Sequence, residues 1–177
     1  MNRVSRTFIA GAVLLCGAVL PAATQSYHVA RRFRLAGDGG WDYLALDTVG
    51  HRLFIAHQDR VIVVDPDGGK VLGEILGLNR AHGVALAYEA GHGFATSGAD
   101  STVTMFDLKS LRVIGHTMVP PDDDAVLYDP ATKRIFTFNG DAHSATAIDA
   151  VSGKRVGVSS SGRVRSSAFP QGTGSCS

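Results

Sequence analysis

The sequence predicts an all-β protein built from repeated four-stranded antiparallel sheets, and three observations predict it. Short strands ending in aspartate recur every 42 residues: Val61-Ile62-Val63-Val64-Asp65, Val103-Thr104-Met105-Phe106-Asp107 and Ala145-Thr146-Ala147-Ile148-Asp149. A matching strand precedes each, Arg52–His57, His92–Ser97 and Arg134–Asn139, so that Phe54, Phe94 and Phe136 correspond. Between them lie Gly, Pro, Asp and Asn, the residues that turns demand, and the apolar runs are too short and too β-branched for helices. Self-similarity at a fixed period of this length marks a repeat architecture.

Each unit reads as four strands. In the first they fall at 42–47, 52–57, 61–65 and 70–76, joined through Thr48-Val49-Gly50-His51, Gln58-Asp59-Arg60 and Pro66-Asp67-Gly68-Gly69. The inner strands of the three units match as Leu44-Ala45-Leu46-Asp47, Val84-Ala85-Leu86-Ala87 and Val126-Leu127-Tyr128-Asp129. A lone sheet of this kind cannot bury both faces. Sheets repeating every ~40–45 residues bury them by stacking face to face around an axis, which is a β-propeller. The blades are expected at about 41–77, 82–118 and 123–157, within a propeller region spanning 24–157. Residues 26–37 read as an orphan outer strand, of the kind that completes a blade at the far end of a ring.

The two ends read differently. Residues 1–23 form a predicted signal peptide: Arg3 and Arg6 precede an apolar stretch over 8–20, and Pro21-Ala22-Ala23 supplies the small residues of a cleavage site. The stretch is short for a membrane span, and Leu15 before Cys16 does not suit a lipoprotein signal. Export across a bacterial inner membrane and release without an anchor, into the periplasm or beyond, is the expectation. Over 158–177 seven serines and two arginines replace the strand pattern just where a further blade was due. A frameshifted or broken gene is one reading of that tail and a flexible serine-rich segment the other. A partial ring would expose blade edges, through which self-association is expected.

Within this framework the chain resembles the YVTN-type propellers, the YncE-like proteins of bacteria. The residues that carry the resemblance are Asp129-Pro130 with Arg134-Ile135-Phe136, Ile148-Asp149-Ala150-Val151-Ser152-Gly153-Lys154, and the run from Leu46 to Val71. It covers about residues 26–157 and implies a ring of about seven blades, of which about three and the orphan strand are present. It implies a periplasmic binding or scaffold protein. Lactonases and quinoprotein dehydrogenases have similar propellers, so an enzyme with its site at the channel mouth is the alternative the resemblance leaves open.

Composition excludes several classes. With 17 basic and 16 acidic residues, net charge +1 and a single tryptophan, the chain lacks the basic groove with exposed aromatics of a nucleic-acid binder. Its two cysteines, Cys16 and Cys176, lie at the extremities, so no cysteine metal site or disulfide is expected. Asp65 to Gly69 begins like a calcium loop, but Leu76 stands where that loop needs Glu. Gly68-Gly69-Lys70 lacks the spacing of a phosphate loop. No catalytic nucleophile with an adjacent base, no metal and no cofactor is expected, and the partner is an unidentified protein or small molecule.

The repeat itself supplies the candidate site. Alignment of the units puts Asp42, His82 and Asp124 at one equivalent position, with Trp41 preceding the first and Asp122 and Asp123 the third. In a propeller such positions ring the mouth of the central channel. They make either a polar, cation-compatible pocket or a set of loop residues that satisfy backbone N–H groups. A second equivalent set, His57, Ser97 and Asn139, reads as turn residues, as do the repeated aspartates Asp65, Asp107 and Asp149.

Overall fold

A computed structural model describes residues 27–160. The predicted signal peptide and residues 161–177 of the serine-rich tail lie outside them. The chain divides into two units, 1–32 and 33–177. In the first, residues 27–32 are exposed and carry no regular structure.

The second unit is all-β. Three antiparallel sheets of four strands follow one another in sequence order: β1 (Trp41–Asp47), β2 (Arg52–His57), β3 (Arg60–Val64) and β4 (Val71–Leu76); β5 (Ala81–Ala87), β6 (His92–Ser97), β7 (Thr102–Asp107) and β8 (Val113–Met118); β9 (Asp123–Asp129), β10 (Arg134–Asn139), β11 (Ser144–Asp149) and β12 (Arg155–Ser160). Inner strand β1 packs on β5, and β5 on β9, so the sheets are blades of a partial β-propeller.

The repeated apolar positions explain the stacking. On one face of the first blade Phe54, Ala56, Val61 and Val63 are fully buried, meeting Phe106 and Ala95 of the second and Leu78 of the connection between them. Phe94, Val103 and Met105 pack in the same way against Ile135 and Ile148 of the third. Phe54 and Phe106 stack with centroids 5.9 Å apart across the first junction. Strand alternation puts every second residue into such an interface.

The turns do what their residues predict. Asp65 Oδ1 accepts the N–H of Asp67, Asp107 those of Ser110 and its hydroxyl, and Asp149 those of Val151 and Ser152. The carboxyls of Asp107 and Asp149 are held below the ordinary carboxylate range chiefly by these serine contacts. At the end of each blade away from the expected mouth, side chains tie one blade to the next. Arg52 Nη1 donates to the Leu108 carbonyl at 2.7 Å, and His92 Nδ1 donates to the Ala150 carbonyl at 3.0 Å.

Two expectations are corrected. No strand forms over the described residues of 26–37: a strand is held by a neighbour's backbone groups, and none of the described strands runs beside this segment. Positive φ at Gly37 and Gly39 turns the chain instead, while Leu35 covers Ile55, Ile62 and Val64 on the open face of the first blade. The last strand extends to Ser160, beyond the expected boundary at 157. Val158, Ser159 and Ser160 pair with Thr146, Ala145 and Ser144, because ladder bonding uses the backbone and tolerates serine on an exposed edge.

Candidate functional site at the blade mouth

Each inner strand is irregular at its start, and in the same place. The ladder slips between Trp41 and Leu44, between Ala81 and Val84, and where Asp123 faces Asn139 while Ala125 faces Phe138. A bulge re-aims the side chains it contains, and the residues inside these bulges include Asp42, His82 and Asp124. The loop beneath is pinned by a bond that also repeats: the N–H groups of Gln58, Gly98 and Gly140 donate to the carbonyls of Gly40, Arg80 and Asp122, at 3.1, 3.0 and 2.7 Å. Arg80 and Asp122 adopt positive φ, of 60° and 64°. Non-glycine residues hold that conformation only where their surroundings impose it.

The three equivalent residues come together. His82 Nδ1 lies 2.7 Å from Asp42 Oδ2, and His82 Nε2 lies 3.6 Å from Asp124 Oδ1, beyond hydrogen-bond length. The imidazole of the second blade thus bonds to the first and lies beside the third, only 12% exposed, while the Asp42 and Asp124 side chains are 37% and 53% exposed. Two glycines make the space. A Cβ on Gly98 would stand 2.7 Å from the imidazole, and one on Gly140 would stand 2.6 Å from Asp122 Oδ2.

Trp41 is half-exposed at the rim, its ring 4.1 Å from that of His57 and tilted by 58°. His57 is buried, with no hydrogen-bond partner on either ring nitrogen. Its expected equivalents behave otherwise. Ser97 and Asn139 are buried too but fully engaged, Ser97 with Asn79 and Asp100, Asn139 with Ser144 and Thr146. The set is structural at two of its three positions.

Asp123, which the sequence places beside Asp124 at the expected mouth, is buried instead. It is completely buried, Ser97 N–H donates to its Oδ2 at 3.3 Å, and its Oδ1 has no partner. Burial pushes its carboxyl up to about 6, against the lowering influence of the Ser97 N–H and of His82. Arg80 reaches Asp122 at 3.8 Å on the exposed rim.

Elsewhere, His51, Asp65 and Asp67 bring ligand-type atoms within 4.8 Å of one another on the surface. The 2.8 Å His51–Asp67 pair and the Asp65 turn account for them. A depression over Asp47, Arg52, Tyr88 and Leu108 lies at the opposite end of the blades, where the polar groups are committed to structure: Arg52 Nε and Nη2 both bind Asp47 Oδ2, at 2.9 and 2.7 Å.

No family model matches the chain, and no curated protein matches it. Among solved structures the chain is similar to Kuenenia stuttgartiensis hydrazine synthase, with a TM-score of 0.64 at 17% identity. The likeness covers 75% of this chain and spans 39% of that one. At this identity it shows the fold, and it agrees with the propeller that the blades themselves display.

Proposed function

We propose that this protein is an exported, non-catalytic propeller of the YVTN type that binds a small ligand or a partner at the mouth formed by Trp41, Asp42, His82 and Asp124. The observation that carries the reading is the meeting of equivalent residues from three blades. Asp42 and His82 lie 40 positions apart in sequence and 2.7 Å apart in space. Bulges and tight backbone bonds set up that geometry at a cost in regularity, and such irregularity concentrates where side chains must be aimed. The residue pattern of 1–23 supports export, and the blade motifs support the YVTN type.

A second reading has one observation in its favour. A carboxylate that fixes one imidazole nitrogen leaves the other as a base, which is half of a hydrolytic apparatus. No serine or cysteine contacts His82 among the described residues, so that base would have to act on water.

The test uses Trp41, the only tryptophan in the chain, as the reporter. A library of small polar ligands is screened by its fluorescence and by calorimetry on the wild type and on His82→Ala. A ligand bound by the wild type and lost in the variant is the expected result. Ligands bound equally by both would place the site elsewhere, and conversion of a bound ligand would replace the binding reading with the hydrolytic one.

A further inference from the structure

We infer that the open face of the third blade docks on the first blade of a second copy of this chain, two copies closing one ring of six blades. The inference is independent of what the mouth binds. It begins with the strand register. Phe54 stands between Ala45 and Val63 across the first blade, Phe94 between Ala85 and Met105 across the second, and Phe136 between Leu127 and Ala147 across the third. In the first two blades this is the face that the next blade buries. In the third the same face stays open: Leu127 is 42% exposed against 5% for Ala85, and Phe138 is 46% exposed against 0% for its equivalent Ala56. A contiguous apolar face of that kind marks an interaction surface, and no further sheet lies against it among the described residues.

The first blade offers the complementary face. At each junction the following blade brings its opposite side, as Val84 and Leu86 of the second blade do against the core around Phe54. The equivalent residues of the first blade are Leu44 and Leu46, and both are exposed. They pair with Ile55 and Leu53 on that side of the sheet, where Leu35 covers Ile55, Ile62 and Val64, so the side presented is apolar. One chain thus carries a receiving face at its third blade and a docking face at its first, the arrangement that links copies head to tail.

The hydrogen bonds that tie one blade to the next name the occupant. Arg52 donates to the Leu108 carbonyl and His92 to the Ala150 carbonyl. Each donor opens the second strand of its blade, and each acceptor follows the repeated aspartate of the next, Asp107 or Asp149. Arg134 opens the second strand of the third blade and is exposed. In the first blade the residue after Asp65 is Pro66, which keeps its carbonyl as an acceptor. The repeat therefore pairs Arg134 with the Pro66 carbonyl of a second copy. Two third blades facing each other would leave Arg134 without that acceptor. Three blades from each of two copies make six, within the roughly four to eight of closed propellers, so the second contact repeats the first and no blade face stays open.

The experiment measures the mass of the full chain by sedimentation equilibrium over a range of concentrations. Wild type is compared with Phe138→Asp, Leu44→Asp and Arg134→Ala, all substitutions of exposed side chains, and circular dichroism confirms that each keeps its sheet. A wild-type dimer, with the dimer Kd raised at least about tenfold by each substitution, is the expected result. Mixing Phe138→Asp with Leu44→Asp should restore part of the association, since a head-to-tail pair then keeps one intact junction. A dimer weakened by Phe138→Asp but not by Leu44→Asp is a pairing of two third blades and overturns the head-to-tail arrangement. A dimer that none of the substitutions weakens overturns the placement, and polymers that lengthen with concentration overturn the closed ring. A wild type that stays monomeric up to about 100 μM overturns the inference.

Discussion

Replacing Asp123 by Asn should stabilise the protein near neutrality and not in acid. The carboxyl sits with no exposed surface, and its ionised form is penalised by burial, which raises it from the ordinary 3.8 to about 6. A raised acid favours the folded state where it is protonated in both states, below about pH 4. That contribution is lost as pH rises toward and through about 6. Above it the folded protein carries a desolvated charge, at a penalty of about 3 kcal/mol, taking about 1.4 kcal/mol for each pH unit of displacement. The groups facing Asp123 are His82, which eases ionisation, Asp122, which opposes it, and the Ser97 N–H, which eases it. Asn keeps an oxygen for that N–H and carries no charge. Urea unfolding of wild type and Asp123→Asn, followed by circular dichroism from pH 4 to pH 8, should give similar midpoints at pH 4. A gap in favour of Asn should then open to as much as about 3 kcal/mol by pH 7.5. Equal gaps at all pH values, or a less stable Asn variant at pH 7.5, would refute the reasoning that burial dominates at this site.

Phe54→Ala should lower stability by about 4 kcal/mol in urea unfolding, since the ring is completely buried and stacks on Phe106 at the first blade junction. Arg52→Ala should cost about 3 kcal/mol at pH 7 by leaving buried Asp47 without its guanidinium. Burial opposes Asp47 ionisation, but the Gly50 N–H and Arg52 hold its carboxyl below the ordinary range. The stability this provides is present above the ordinary value and lost as pH falls, so the Arg52→Ala deficit should shrink in acid. Gly98→Ala should leave the sheet intact in circular dichroism but push the imbalanced contact apart: its Cβ would lie 2.7 Å from the His82 ring, and loss of the His82–Asp42 bond is expected in imidazole NMR shifts.

Much of this fold was legible in the sequence because the chain states each blade three times. Phe54, Phe94 and Phe136 mark the middle of each second strand, and the aspartates at 65, 107 and 149 make the predicted turns. Equivalence placed Asp42, His82 and Asp124 at corresponding positions around one axis and left open whether they meet or bond into separate loops; His82 bonds Asp42 and lies 3.6 Å from Asp124. What the sequence did not disclose depends on backbone detail. The bulges that aim these side chains leave no residue signature, and the burial of Asp123 follows from positive φ at Asp122 and the Gly140 N–H bond. The role of Gly98 appears only when the imidazole lies over it. Extension of β12 to Ser160 was hidden for the opposite reason: a ladder needs backbone groups, and serines carry them as well as valines do.

The central claim is that Asp42 of the first blade holds the His82 imidazole of the second through Nδ1. Nitrogen-15 NMR of the His82 imidazole at pH 7.5 tests it directly. The account predicts hydrogen on Nδ1 and a change in its resonance when Asp42 is replaced by Ala. Hydrogen on Nε2 with Nδ1 bare, or an Nδ1 resonance indifferent to the loss of Asp42, would contradict it.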